Sequence, residues 1–118
     1  MNDLKQRTFN FAVEVATLIR DLPENQLNKA YTSQLIRSSS SIGANYRAAK
    51  RAKSDADFIN KLKIAEEEAD ETLYFLELLN RFNEKFSVRI NLLIDEGTAI
   101  LKILVASITS TRSRIKNS

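Results

Sequence analysis

Turn-forming residues are nearly missing from this chain: one proline, Pro23, and two glycines, Gly43 and Gly97, punctuate 118 residues. A many-stranded sheet needs turn signals about every 8–12 residues, so their scarcity argues for a few long helices instead. The apolar spacing agrees. Tyr31, Leu35, Ser39, Ile42, Tyr46 and Ala49 recur three or four apart, as one face of a helix does. That helix is unusual, because it carries four consecutive serines, Ser38 to Ser41, and then Gly43, all weak helix formers. Small residues in mid-helix mark a place where something approaches closely.

The same spacing predicts four helices, over about residues 3–21, 28–53, 55–82 and 87–111, followed by a basic, frayed tail at 112–118. Leu4, Phe11, Val15, Leu18 and Leu22 share one face of the first, and Pro23 stops it. Asn25 and Asn28 are both candidate N-caps for the second. Ser54, with Asp57 three residues on, is a near variant of the capping box and opens the third. The core face of the third helix is Phe58, Leu62, Ala65, Ala69, Leu73, Leu76 and Leu79; that of the fourth is Ile90, Ile94, Gly97, Leu101, Leu104 and Ile108. Short connections then give an all-α, antiparallel up-down-up-down four-helix bundle, one domain over residues 1–118.

Two helices carry more apolar surface than a lone bundle can hide. Phe9, Val13 and Ala16 form a second strip on helix one, and Phe75, Leu78 and Phe82 a second strip on helix three. With the small residues Ala44 and Ala48 of helix two, these are the candidate oligomer interface, and they predict a homo-oligomer. Asn45, at the edge of the helix-two stripe, is expected to fix helix register where it is buried.

Charge is segregated along the chain. Residues 23–53 carry six Lys or Arg against one Glu, residues 54–86 four against nine Asp or Glu, and residues 87–118 five against two. On a helical wheel Arg37, Arg47 and Arg51 fall within an ~80° arc opposite the apolar stripe. With Lys50 and Lys53, and with Arg112, Arg114 and Lys116 of the tail, they are the candidate nucleic-acid-binding residues. The alternative is that these cations pair with the acidic third helix or across subunits.

The chain holds no histidine and no cysteine, so di-iron Glu-x-x-His pairs, Ser-His-Asp triads and thiolate chemistry have no residues to use. The expectation is a protein that is not an enzyme and holds no cofactor or metal. Glu67 and Glu71 share a face in the one carboxylate cluster and could hold a hard cation or serve acid–base chemistry, or simply form a solvated face. The four serines lack a visible base and read as packing residues. No stretch reaches the ~18 apolar residues of a membrane span, and the opening residues lack the apolar run of a signal peptide, so the expected location is cytoplasmic.

Three motifs carry a family resemblance: Arg37-Ser-x-x-Ser41-Ile-x-Ala44-Asn45-Tyr46, Ser54-x-x-Asp57-Phe58-Ile-x-Lys61-x-x-Ile64-Ala65, and Glu68-Ala-x-Glu71-Thr72-x-Tyr74-x-Leu76-x-Leu78-Leu79. With Phe9-x-Phe11-Ala12-x-x-Val15 and Leu22-Pro23, the chain resembles the four helix bundle proteins encoded by intervening sequences in bacterial 23S rRNA genes, also labelled ribosomal proteins. The resemblance implies a ring-like homopentamer with a nucleic-acid role, RNA or DNA. It also implies kinship with an accessory subunit that docks the reverse transcriptase of diversity-generating retroelements. Two functions follow as expectations: an oligomer that binds nucleic acid through a basic surface, or an adaptor ring that docks a protein partner.

Overall fold

A computed structural model describes residues 3–118; Met1 and Asn2, the first two positions of the expected domain, lie outside it. Four helices follow one another, α1 (Leu4–Asp21), α2 (Gln26–Lys50), α3 (Asp55–Phe82) and α4 (Ser87–Lys116), with a single 3₁₀ turn, Glu84–Phe86, before the last. At ~1.5 Å per residue they run from about 27 to about 45 Å, and antiparallel neighbours pack into a rod of 53 × 21 × 21 Å. Contacts join α1 to α2, α2 to α3, α3 to α4 and α4 back to α1, which closes the up-down-up-down ring of helices.

Local chemistry sets each boundary. Asp3 accepts from the backbone N–H of Gln6, Asn25 from that of Asn28 at 2.8 Å, and Ser54 from that of Asp57 at 3.1 Å, so the first three helices open on side-chain caps. Asn25 is thus the cap of α2, and the helix starts two residues earlier than the spacing predicts. It also ends earlier, at Lys50, because Ser54 must adopt an extended backbone to cap α3 and residues 51–53 turn to deliver it. The expected frayed tail is helical through Lys116. Just ahead of it Thr111 is buried and its hydroxyl donates to the Ser107 carbonyl at 2.8 Å, while Arg114 pairs with Asp55 of α3 at 3.0 Å.

Buried positions alternate three and four residues apart, the spacing of a coiled-coil seam. On α3 they are Leu62, Ala65, Ala69, Thr72, Leu76 and Leu79, and the run continues to Asn83; on α1 they are Leu4, Thr8, Phe11, Val15 and Leu18, continuing to Leu22. Polar residues therefore occupy some core positions. Thr72, where the sequence favours Leu73, meets Ser38 of α2 with their hydroxyls 2.9 Å apart, and the Thr72 hydroxyl also lies 2.8 Å from the Glu68 carbonyl. Ser38 and Ser39 are fully buried with their hydroxyls near carbonyls of their own helix, and at Ser38 a small side chain with local partners lets α2 and α3 come close. Gly97 does the same where α4 packs on α3 and α1, since a Cβ there would stand 3.0 Å from Leu73 and 3.1 Å from Phe11.

The buried asparagines are Asn28 and Asn83. Each amide nitrogen donates to the other's oxygen at 2.9 Å, and they donate further to the carbonyls of Pro23 and Leu79. This pair ties the α1–α2 turn to the α3–α4 turn. Asn45, expected in a register role, is only half-buried and donates to Ser41 of its own helix, so it links no two elements.

Two ion pairs hold α1 against α4, Arg7–Glu96 at 2.7 Å and Asp21–Arg89 at 3.0 Å. The hydrogen bond from Arg7 holds the Glu96 carboxyl below its ordinary value of 4.5, and Arg20 and then Arg89 lower that of Asp21.

Two expected outcomes test this account. Asn28→Ala and Asn83→Ala each leave a buried amide unpaired and should each lower the unfolding free energy by about 1–3 kcal/mol. In urea titrations the double variant should lose less than the sum of the two. Because a lowered folded-state carboxylate pKa stabilises above the ordinary carboxylate range, stability should fall as pH drops below about 4.5. An Arg7→Gln variant should show a flatter decline in thermal midpoint over the same window.

Candidate nucleic-acid interface

Folding regroups the basic residues by their height along the rod. Because α2 and α4 both run toward the same end, their C-terminal turns lie there on either side of the start of α3, more than sixty positions apart in sequence. Lys50, Arg51 and Lys53 come from the end of α2 and its hairpin, and Arg112, Arg114 and Lys116 from the last two turns of α4; all six are exposed. Asp55 and Asp57, in the first turn of α3, are carboxylates at this end, and α1 begins toward the same end with Asp3. Of these six cations only Arg114 forms an ion pair among the described residues, and its partner Asp55 is exposed too, so the pair is worth little in water. Arg112 and Lys116, one turn apart, share a face of α4. Between the two groups of cations lies a concavity of about 480 Å³ bordered by Lys50, Lys53, Asp55, Phe58 and Arg114.

The other two arginines of the predicted basic face diverge from this group. Arg37 leans toward α3, where its guanidinium donates to Glu68 at 2.9 Å and also to Glu71, the latter bond chiefly holding Arg37 above its ordinary pKa. Glu71 is thereby engaged in a clamp between helices, while Glu67 is exposed. Arg47 leans the other way, toward α1, with its guanidinium 5.9 Å from the centre of the Phe9 ring, within cation–π range. Ala44 is exposed midway between them and Ala48 is half-buried. Residues on one ~80° arc thus reach opposite neighbours, because Arg37 and Arg47 stand at its two edges.

The opposite end has a different character. A concavity of about 540 Å³ lined by Ile19, Pro23, Asn28 and Thr32 carries one charge of each sign, Glu24 and Lys29.

Apolar surface is left open on two sides. Phe9 and Val13 are 51% and 48% exposed on the outer face of α1, with Ala16 half-buried beside them. On α3, Phe82 is exposed, whereas Phe75 and Leu78 are half-buried; the Tyr31 ring of α2 lies 6.3 Å from Phe75 and 6.2 Å from Phe82. Sequence reasoning missed Val88 and Leu92 on α4, 79% and 65% exposed. Leu92 lines a groove with Glu14 and Thr17 of α1, which places it on the same side as Val13. Their i, i+4 spacing off the Ile90 core line was the available signal.

No described helix is long and apolar enough to cross a membrane. A family model described as 23S rRNA-intervening sequence protein matches residues 2–106. A crystal structure from Bacteroides thetaiotaomicron, described as a protein with unknown function from the S23 ribosomal protein family, is 39% identical. It superposes with a TM-score of 0.79, covering 90% of this chain and 98% of the other. No curated protein matches the chain.

Proposed function

The chain belongs to the 23S rRNA-intervening sequence protein family, and from that premise we propose that it is a non-enzymatic homo-oligomer that holds nucleic acid by the phosphate backbone. The observation that carries this reading is the basic end of the rod, where six Lys or Arg outnumber three Asp and five of the six cations make no ion pair among the described residues. Each copy brings a modest patch. Repetition in an oligomer, five copies by the sequence resemblance, multiplies it and turns weak phosphate contacts into useful affinity. Base-specific readout has no support, since the site is made of cations that address phosphate oxygens.

The expected salt response tests this directly. Binding to a B-DNA duplex should fall on a log–log plot with a slope of ~0.9 per phosphate neutralised, and ~0.7 on single strands. Changing Lys50 and Lys53 together to Gln should reduce the duplex slope by about 1.8 per subunit engaged. Arg37→Gln should leave the slope alone, because that guanidinium is committed to Glu68 and Glu71. A flat salt response, or no binding at low salt, refutes the proposal.

A second reading, an adaptor that docks another protein, is favoured by the open apolar side of α1 and α4, where Val13, Val88 and Leu92 lie exposed. Sedimentation separates the two uses of that side. If copies of the chain cover it, the wild type sediments as a multimer and a Val13→Glu, Leu92→Glu variant as a smaller species. A monomeric wild type excludes self-association and leaves the face for a foreign partner.

A further inference from the structure

Four of the six cations at the basic end stand on helices, and Arg51 and Lys53 on the turn that joins α2 to α3. Lys50 closes α2, Arg112, Arg114 and Lys116 stand on helical turns, and Arg114 reaches across to Asp55 to brace the α4 end against the α3 start. A rigid array of charges suits a partner whose phosphates are themselves held in place. A single strand is flexible and loses much of that freedom on binding, which single-strand binders offset by stacking bases on exposed aromatic rings.

Among the described residues no fully exposed ring stands at this end; Phe58 borders the concavity there but is half-buried. Tyr46 and Phe58, the nearest aromatics, are half-buried and packed against the core. Phe9, further up the rod on α1, carries the Arg47 guanidinium near its ring, and the exposed Tyr74 and Phe82 lie in the later part of α3, toward the opposite end. A duplex needs no such platform. It is stiff before binding, and it presents one negative charge per ~1.7 Å of axis, so each cation displaces more condensed counterion than on a single strand.

We infer that the basic end of the rod selects double-stranded over single-stranded nucleic acid. The inference rests on the phosphate-binding reading above and adds to it the class of partner. Specificity here comes from stiffness and charge density, with the outward face of the last α4 turns, Arg112 and Lys116, following one duplex backbone.

Fluorescence anisotropy of the full chain tests this with one 20-nucleotide sequence presented as single-stranded RNA, duplex RNA and duplex DNA across a salt series. Both duplexes should bind at least about tenfold tighter than the single strand and with steeper salt slopes. An Arg112→Gln, Lys116→Gln variant, altered only at exposed positions, should lose about 1.8 from the duplex slope per subunit engaged. Equal or tighter binding of the single strand overturns the duplex inference and leaves phosphate binding standing, whereas no binding by any of the three at low salt overturns both. Unchanged duplex binding by the variant also overturns the inference. Phosphatidylserine vesicles bound as tightly as the duplexes would overturn it as well, by showing that any dense anionic surface serves.

Discussion

The close approach of α2 and α3 is the constraint on which the rest of the molecule depends. It is made possible by small side chains, Ser38 on one helix and Ala65, Ala69 and Thr72 on the other, each hydroxyl having a partner within reach. Large apolar residues at those positions would bury more surface but would push the helices apart. Outside this seam Arg37 bridges Glu68 and Glu71, so the most acidic stretch of the chain is partly neutralised by the helix that packs on it. Asp55 and Asp57 open α3 at the basic end and the other acidic residues of α3 stay on the flank of the rod, while the last cations of α2, its hairpin and α4 gather at that end.

That redistribution is a product of connectivity. Along the sequence, charge sorts by helix, with α2 basic, α3 acidic and α4 basic. In three dimensions it sorts by height, because two helices running in the same direction deliver their last turns to the same end of the rod. Positive residues in the last turn of a helix also complement its dipole, so the same residues that stabilise α2 and α4 build the charged end. A local helix-ending rule and a candidate function are here satisfied by one set of side chains.

Much of the fold could be read from the chain. The α1 face from Leu4 to Leu22, the Pro23 stop and the Ser54 cap follow from spacing and turn chemistry, and each is present in the structure. What escaped were choices between neighbours that periodicity scores alike. Thr72 is in the core and Leu73 half-buried because the seam has room for a hydroxyl facing Ser38, a fact about two helices that one helix cannot disclose. Asn28 caps nothing and Asn45 bridges nothing, while Asn28 finds Asn83 fifty-five positions away. The tail was read as frayed from its polarity, yet Arg114 and Asp55 pair across fifty-nine positions. For the candidate interface, the residue types were legible but their grouping was not. Arg37 and Arg47 part company at opposite edges of α2, and the basic end exists only once α4 has folded back beside the α2–α3 hairpin.

The helices also differ in length, eighteen residues for α1 against thirty for α4. Arg7, one turn into α1, is level with Glu96, so α4 runs on for ~30 Å past that point. Any fusion attached ahead of α1 would therefore leave the rod from its flank, while one attached behind α4 would leave from the charged tip. The two chain ends are not equivalent handles: a tether joined to the first keeps the tip clear, and one joined to the second crowds it.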